Sequence, residues 1–294
     1  MRALCIAGGG QAGSVTAGAL YRLKRFYHLI VGTSTGAGIM TVANHHERLR
    51  TAYTTSTNKD IWKIRGVNKN DGPRWSVMLS RLIAGSSSWG DSSNLAQTIK
   101  GFYGPETHGG FIRGKVELVA CVWDHTEQRI KYFSNLEHRW YPHFIKYVEA
   151  SMSAPPAMNM VQDPVTKNWL EDGGVAEILP LTKTVELAAQ RKILDVDAFV
   201  HQSRESLFGD IHKNKPHNHV HRLMRSLKAR GKIILKDDIL MGLKCAEDLG
   251  VNVHLHYLPV DNIKPRFYFD PSLQRKWFNL DPVDPQSHIN HVQL

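Results

Sequence analysis

The pentapeptide Gly32-Thr33-Ser34-Thr35-Gly36 sets a serine between two glycines, where the apolar run Leu29-Ile30-Val31 gives way to small residues. A G-x-S-x-G turn between a strand and a helix holds its middle residue on a sharp bend. The flanking Gly32 and Gly36 remove β-carbons that would collide with neighbouring chain, and the Ser34 hydroxyl is left exposed as a candidate nucleophile. A serine that attacks a carbonyl needs donors for the developing anion and a base for its own proton. Gly8-Gly9-Gly10 follows the short apolar run Arg2 to Ala7, so its N–H groups, unshielded by side chains, are candidate oxyanion donors. The residues alone leave the base open. Among sixteen histidines, His254 and His256 share one strand face and His217, His219 and His221 alternate, a pattern that suits solvent exposure or sheet packing better than metal ligation. Asp172 stands between an apolar strand and Gly173-Gly174, and in isolation it reads as a turn aspartate.

Gly8, Gly10 and Gly13 also satisfy G-x-G-x-x-G, the dinucleotide-binding fingerprint. That reading requires an acidic residue at the end of the second strand, and this strand ends in Gly32-Thr33-Ser34. A P-loop fails as well, because Gly13 is followed by Ser14-Val15 rather than by Lys and Ser or Thr.

The elements that must carry these turns follow from periodicity. Val15, Ala19, Leu23 and Phe26 recur at helical spacing between two apolar runs, which predicts strand, helix, strand within about thirty residues, the size of a βαβ unit. Small residues from Thr35 lead into a second helix through Ile39, Met40 and Ala43. Residues 51–91, with a Thr/Ser run and scattered tryptophans, are expected to form a lid or surface insertion. Beyond them the sequence predicts a helix around Leu95, Ile99 and Phe102, paired strands at 116–123 and 130–133, a helix at 144–150, and strands at 169–172 and 196–200. A basic helix near 218–230, a second helix over 237–249 stopped by Gly250, and a strand at 251–258 complete the pattern. This alternation points to an α/β sandwich.

Gly8-Gly9-Gly10, Gly32-Thr33-Ser34-Thr35-Gly36 and Asp172-Gly173-Gly174 together resemble the patatin-like phospholipases. Ala150-Ser151-Met152-Ser153-Ala154-Pro155 looks like the family's A-S-x-A-x-P segment, and Val175, Ala176 and Pro180 agree with the stretch that follows the aspartate. The resemblance implies a three-layer α/β/α sandwich with a mainly parallel central sheet over residues 1–275, leaving 276–294 as a C-terminal tail. It also implies that Ser34 is the nucleophile, Asp172 its base in a two-residue dyad, and Gly8, Gly9 and Gly10 the oxyanion hole. The reaction implied is hydrolysis of fatty acyl esters of phospholipids through an acyl-serine intermediate, with no metal and no organic cofactor. Two positions depart from the family pattern: Ala12 stands where Arg or Lys is usual, and Leu179 precedes Pro180 where Asn is common. The competing readings are an inactive lipid-binding protein of the same fold and a serine esterase with a Ser-His-Asp triad.

Composition bounds the surroundings. With 294 residues, 42% hydrophobic and 22% charged, the chain can bury a substantial core. Cys5, Cys121 and Cys245 are widely spaced in apolar stretches, which reads as reduced thiols in a cytoplasmic protein. No stretch suits a signal peptide or a spanning helix. Lys and Arg outnumber Asp and Glu by 37 to 27, a net charge of +10 that favours acidic partners. Residues 211–236 carry Lys213, Lys215, Arg222, Arg225, Lys228, Arg230, Lys232 and Lys236 without an acid. Such a run is expected either as a solvated face or as a transient contact with an anionic membrane surface. No nucleic-acid motif accompanies it, and the sequence does not set the oligomeric state.

Overall fold

The computed structural model describes residues 1–70, 72–103, 116–137, 143–208, 219–258, 260 and 267–280. Its centre is the parallel trio β1 (Arg2–Ile6), β2 (Leu29–Thr33) and β7 (Asp195–Val200), with β1 between the other two. β3 (Glu117–Asp124) extends the sheet in parallel beyond β2, and β8 (Asn252–Tyr257) does so beyond β7. β4 (Arg129–Ser134) and β6 (Trp169–Asp172) pair antiparallel with β3, and the two-residue β5 (Val161–Gln162) pairs antiparallel with β6.

A sheet covered on both faces needs strands that are apolar throughout. β1 shows this: Leu4 and Ile6 enter one core and Ala3 and Cys5 the other, all fully buried. On the Leu4 side lie α1 (Gly13–Leu23), α2 (Thr35–Met40), α3 (His46–Thr55), the short α4 (Asn58–Ile61), α5 (Trp75–Ile83), α6 (Asn94–Tyr103), α7 (Phe144–Met152) and, late in the chain, α11 (Pro271–Phe278). All but α5 contribute buried side chains to that core. On the Cys5 side, α8 (Leu181–Gln190) and α10 (His219–Leu249) supply Leu181, Val185, Leu235 and Ile239, and the short α9 (Arg204–Phe208) adds Leu207. The three layers and the mostly parallel sheet are those the sequence implied.

Several boundaries moved. The helices expected at 218–230 and 237–249 are one 31-residue helix. Gly231 within it costs about 1 kcal/mol against alanine, which burial of Leu235 and Ile239 offsets. Gly242 lies farther along, where a β-carbon would come within 2.4 Å of Leu181, so its small size lets α10 approach α8. α1 stops at Leu23 on a left-handed Lys24 (φ 47°), short of Phe26, which is exposed. Asp197 draws the chain out of the helix there, accepting hydrogen bonds from Arg25 and Tyr27 at 3.0 Å.

Within the 51–91 segment, Ala52, Ile61, Trp62 and Val67 are buried, so the part that stands off the body is α5 and its flanks. α11 crosses the expected boundary at 275: Trp277 and Phe278 are buried, and Arg22 donates to the carbonyls of Phe278 and Leu280. Residues 281–294 of the expected tail lie outside the described residues. So do Lys213, Lys215 and His217, together with the side chains of His219, His221, Arg222, Arg225 and Lys228. Cys5 and Cys121 are buried, Cys245 is half-buried, and none is in a disulfide. Among the described residues no helix is long and apolar enough to cross a membrane.

Candidate active site

Parallel α/β sheets present their working loops at the carboxyl ends of the strands. Ser34 follows β2 there, with φ 56° and ψ −125°, a left-handed conformation that a residue bearing a β-carbon adopts only under constraint. The constraint is close packing of the elbow. A β-carbon on Gly32 would lie 2.4 Å from the Gly36 carbonyl carbon, and one on Gly36 would lie 2.3 Å from the Ile6 oxygen. The backbone N–H of Ser34 donates to Ser151 Oγ at 3.0 Å, and Ser151 in turn donates to the Cys121 carbonyl at 2.6 Å.

The loop after β1 runs beside the elbow. A β-carbon on Gly8 would come within 3.0 Å of Ser34 Cβ. Gly8 N–H donates to the Ile178 carbonyl at 2.9 Å, while Ile178 and Leu179 N–H donate to Asp238 Oδ2 at 2.8 and 2.9 Å. Asp238, carried by α10, therefore braces the glycine loop through one intervening peptide. Burial pushes its carboxyl up to about 7, the two N–H bonds oppose the rise, and Glu177 and Asp237 add to it. Gly9 lies over His201, where a β-carbon would sit 2.4 Å from the ring, and His201 is bonded to Thr16 Oγ1. Gly10 has φ 59°, and Ala12 is fully buried beneath the loop.

Asp172 ends β6 opposite Val122 of β3, which brings it to the same edge of the sheet. Its backbone N–H donates to the Ser153 carbonyl at 3.2 Å. The Ala150 to Pro155 segment thus touches both candidate residues, Ser34 through Ser151 and Asp172 through Ser153. The Asp172 carboxylate accepts the Gly174 N–H at 2.8 Å and lies beside the Ser34 side chain. Burial pushes Asp172 up to about 7; the Ser34 side chain and the Gly174 N–H hold part of the rise back, and Glu171 adds to it.

Ser34 and Gly10 open into a cleft whose walls include Tyr53, Leu95, Ile99, Phe102, Met158 and Phe269. Its lining is predominantly apolar, and among the described residues it contains no histidine. His254 and His256 point elsewhere, to Asp195 at 3.4 Å and Asp197 at 3.0 Å across the β7–β8 pair. Sequence reasoning missed the brace from Asp238, the His201 contact and the walls of the cleft, which come from segments far apart in the chain.

Comparison with known proteins adds the family. None of the curated proteins is significantly similar to the chain. The crystal structure of VipD from Legionella pneumophila is similar at 12% identity and a TM-score of 0.40, over 84% of this chain and 67% of that one. A family profile described as patatin-like phospholipase matches residues 4–184, a span that contains the glycine loop, the Ser34 elbow and Asp172. With more than half of its length in that match, the chain belongs to the patatin-like phospholipases.

Proposed function

We propose that this lipid hydrolase cleaves fatty acyl esters of phospholipids with a Ser34–Asp172 dyad, in a fold that spans at least residues 1–280. The observation that carries the proposal is a serine on a left-handed elbow beside a buried carboxyl that burial has raised to about 7, a rise the Ser34 side chain opposes. An aspartate near its usual value, about 3.9, is a weak base at neutral pH; one near 7 is matched to the task.

Ser34 Oγ attacks the ester carbonyl carbon while its proton passes to Asp172. The carbonyl electrons move onto oxygen, where the N–H groups of Gly9 and Gly10 receive the charge. Gly8 N–H, engaged with Ile178, sets the loop rather than serving the anion. As the tetrahedral species collapses, the lysophospholipid alkoxide leaves and takes the proton from Asp172. Water then attacks the acyl-serine with Asp172 again as base, and the fatty acid departs as Ser34 is reprotonated. The apolar cleft receives the acyl chain. The steps engage this chain's own groups and need no cofactor.

A fluorophosphonate probe tests the reading without requiring the right substrate. It should label Ser34, and Ser34→Ala should remove the label; equal labelling of the variant would sink the proposal. A histidine substitution that abolished turnover while Asp172→Asn retained it would favour the Ser-His-Asp triad.

A further inference from the structure

Helix α5 turns its apolar side away from the protein. None of its residues is buried, and Trp75, Leu79, Leu82 and Ile83 are 70%, 56%, 65% and 80% exposed. These four positions, i, i+4, i+7 and i+8, share one helical face. The opposite side is tied down by Arg81, which donates to the Ser88 carbonyl at 3.1 Å and to Asn159 Oδ1 at 3.2 Å. A surface helix ordinarily buries its apolar stripe, and a contiguous exposed patch of large apolar side chains marks a contact site.

The surroundings of the face say what covers it. Residues 61–90 carry Lys63, Arg65, Lys69, Arg74 and Arg81 against the single acid Asp71, and Lys63, Lys69 and Arg74 are exposed. The segment that carries α5 runs between Ile61 and Leu95, and both residues line the cleft that holds Ser34. Asn159, the anchor for Arg81, follows Met158, another wall residue. An outward apolar face, exposed cations on the same segment and attachment to the walls of an apolar cleft together match a lipid surface of negative charge.

We propose that α5 docks this protein on an anionic lipid–water interface, with Trp75, Leu79, Leu82 and Ile83 entering the acyl boundary and the cations at headgroup level. The proposal rests on the lipid-hydrolase reading of the adjoining cleft, and it adds the element that brings that cleft to its substrate.

The test compares the full chain with a Leu79→Ser, Leu82→Ser variant, which removes apolar area and leaves the charge unchanged. Binding is measured by co-sedimentation with vesicles of phosphatidylcholine and phosphatidylglycerol. Turnover is measured on the same vesicles and on a short soluble ester, and the oligomeric state by light scattering. The variant should lose at least about tenfold in vesicle binding and vesicle turnover and keep soluble-ester turnover within about twofold. Unchanged vesicle binding would overturn the proposal, as would equal loss on both substrates, which would mean a structural role for the leucines. A wild-type dimer that the substitutions convert to a monomer, with vesicle binding intact, would assign the face to a second copy instead. If neither protein turns over any ester yet the wild type alone binds vesicles, the docking surface stands and the hydrolase reading fails.

Discussion

Ser151 and Ser34 are joined through the backbone: the Ser34 N–H donates to Ser151 Oγ at 3.0 Å, and the same hydroxyl donates a hydrogen bond to the Cys121 carbonyl at 2.6 Å. The left-handed conformation of Ser34 is thus held by a side chain over a hundred residues away, which is itself anchored to the strand beside β2. Removing that hydroxyl leaves the Ser34 N–H without its acceptor, and a strained elbow has a more relaxed alternative open to it.

Ser151→Ala should therefore lower kcat on a soluble ester by about tenfold or more while KM changes little, because the cleft walls are untouched. Thermal unfolding should report a loss of about 1–3 kcal/mol for the unsatisfied group. A parallel rise in KM would mean that the cleft, rather than the elbow, depends on Ser151.

Asp172→Asn keeps the side-chain volume and removes the proposed base. General-base catalysis is typically worth about 10²–10⁴-fold, and the variant should fall by at least about a hundredfold while remaining folded. Chelators should leave wild-type turnover unchanged if the dyad acts alone. A variant with near-normal rates would dismiss Asp172 from the chemistry.

The same carboxyl should divide activity and stability in pH. Catalysis needs Asp172 ionised, so kcat/KM should rise as pH climbs through about 7. Stability should run the other way. A folded-state value of about 7 against 3.8 means the folded chain holds a proton that the unfolded chain has released. Stability from this group is therefore full below about 4, declines between about 4 and 7, and stays low above, a loss of at most about 4 kcal/mol. Asp172→Asn should be more stable than the wild type at pH 8 and no more stable at pH 4, checked by urea unfolding. An unchanged difference between the two pH values would show that Asp172 titrates normally.

The elbow and the glycine loop were legible because each is a local device: a turn that needs glycine on both sides of a serine announces itself within five residues. The position of Asp172 beside Ser34 was not, since it depends on β6 lying antiparallel beside β3, a pairing with no local signature. Without the resemblance Asp172 would have stayed a turn aspartate. The Asp238 brace was equally hidden, because it joins α10 to the glycine loop through Ile178. The 51–91 segment, expected as a lid or surface insertion, divides in a way composition does not show: Ala52, Ile61 and Trp62 face inward while Trp75, Leu79 and Leu82 face out.

The basic run gives a last expectation, in which the structure separates two groups of cations. Lys232 donates to the Ser206 carbonyl, and Lys236 lies 5.5 Å from the centre of the Phe208 ring, so both tie α9 to α10 and are engaged within the fold. Arg222, Arg225, Lys228 and Arg230 lie nearer the amino end of α10, and Arg230 is exposed. Each cation close to an anionic bilayer contributes about 1 kcal/mol, screened beyond about 8–10 Å at physiological salt. Reversing these four to Glu should weaken binding and turnover on anionic vesicles, and added salt should reproduce the effect in the wild type. Turnover of a soluble ester should be nearly unchanged. The Leu79→Ser, Leu82→Ser variant should instead keep the wild-type salt dependence while binding less at every salt concentration, because it loses apolar area and no charge. Reversal without effect on vesicles would leave the run as a solvated face, and selective loss of DNA or RNA binding would assign it to nucleic acid.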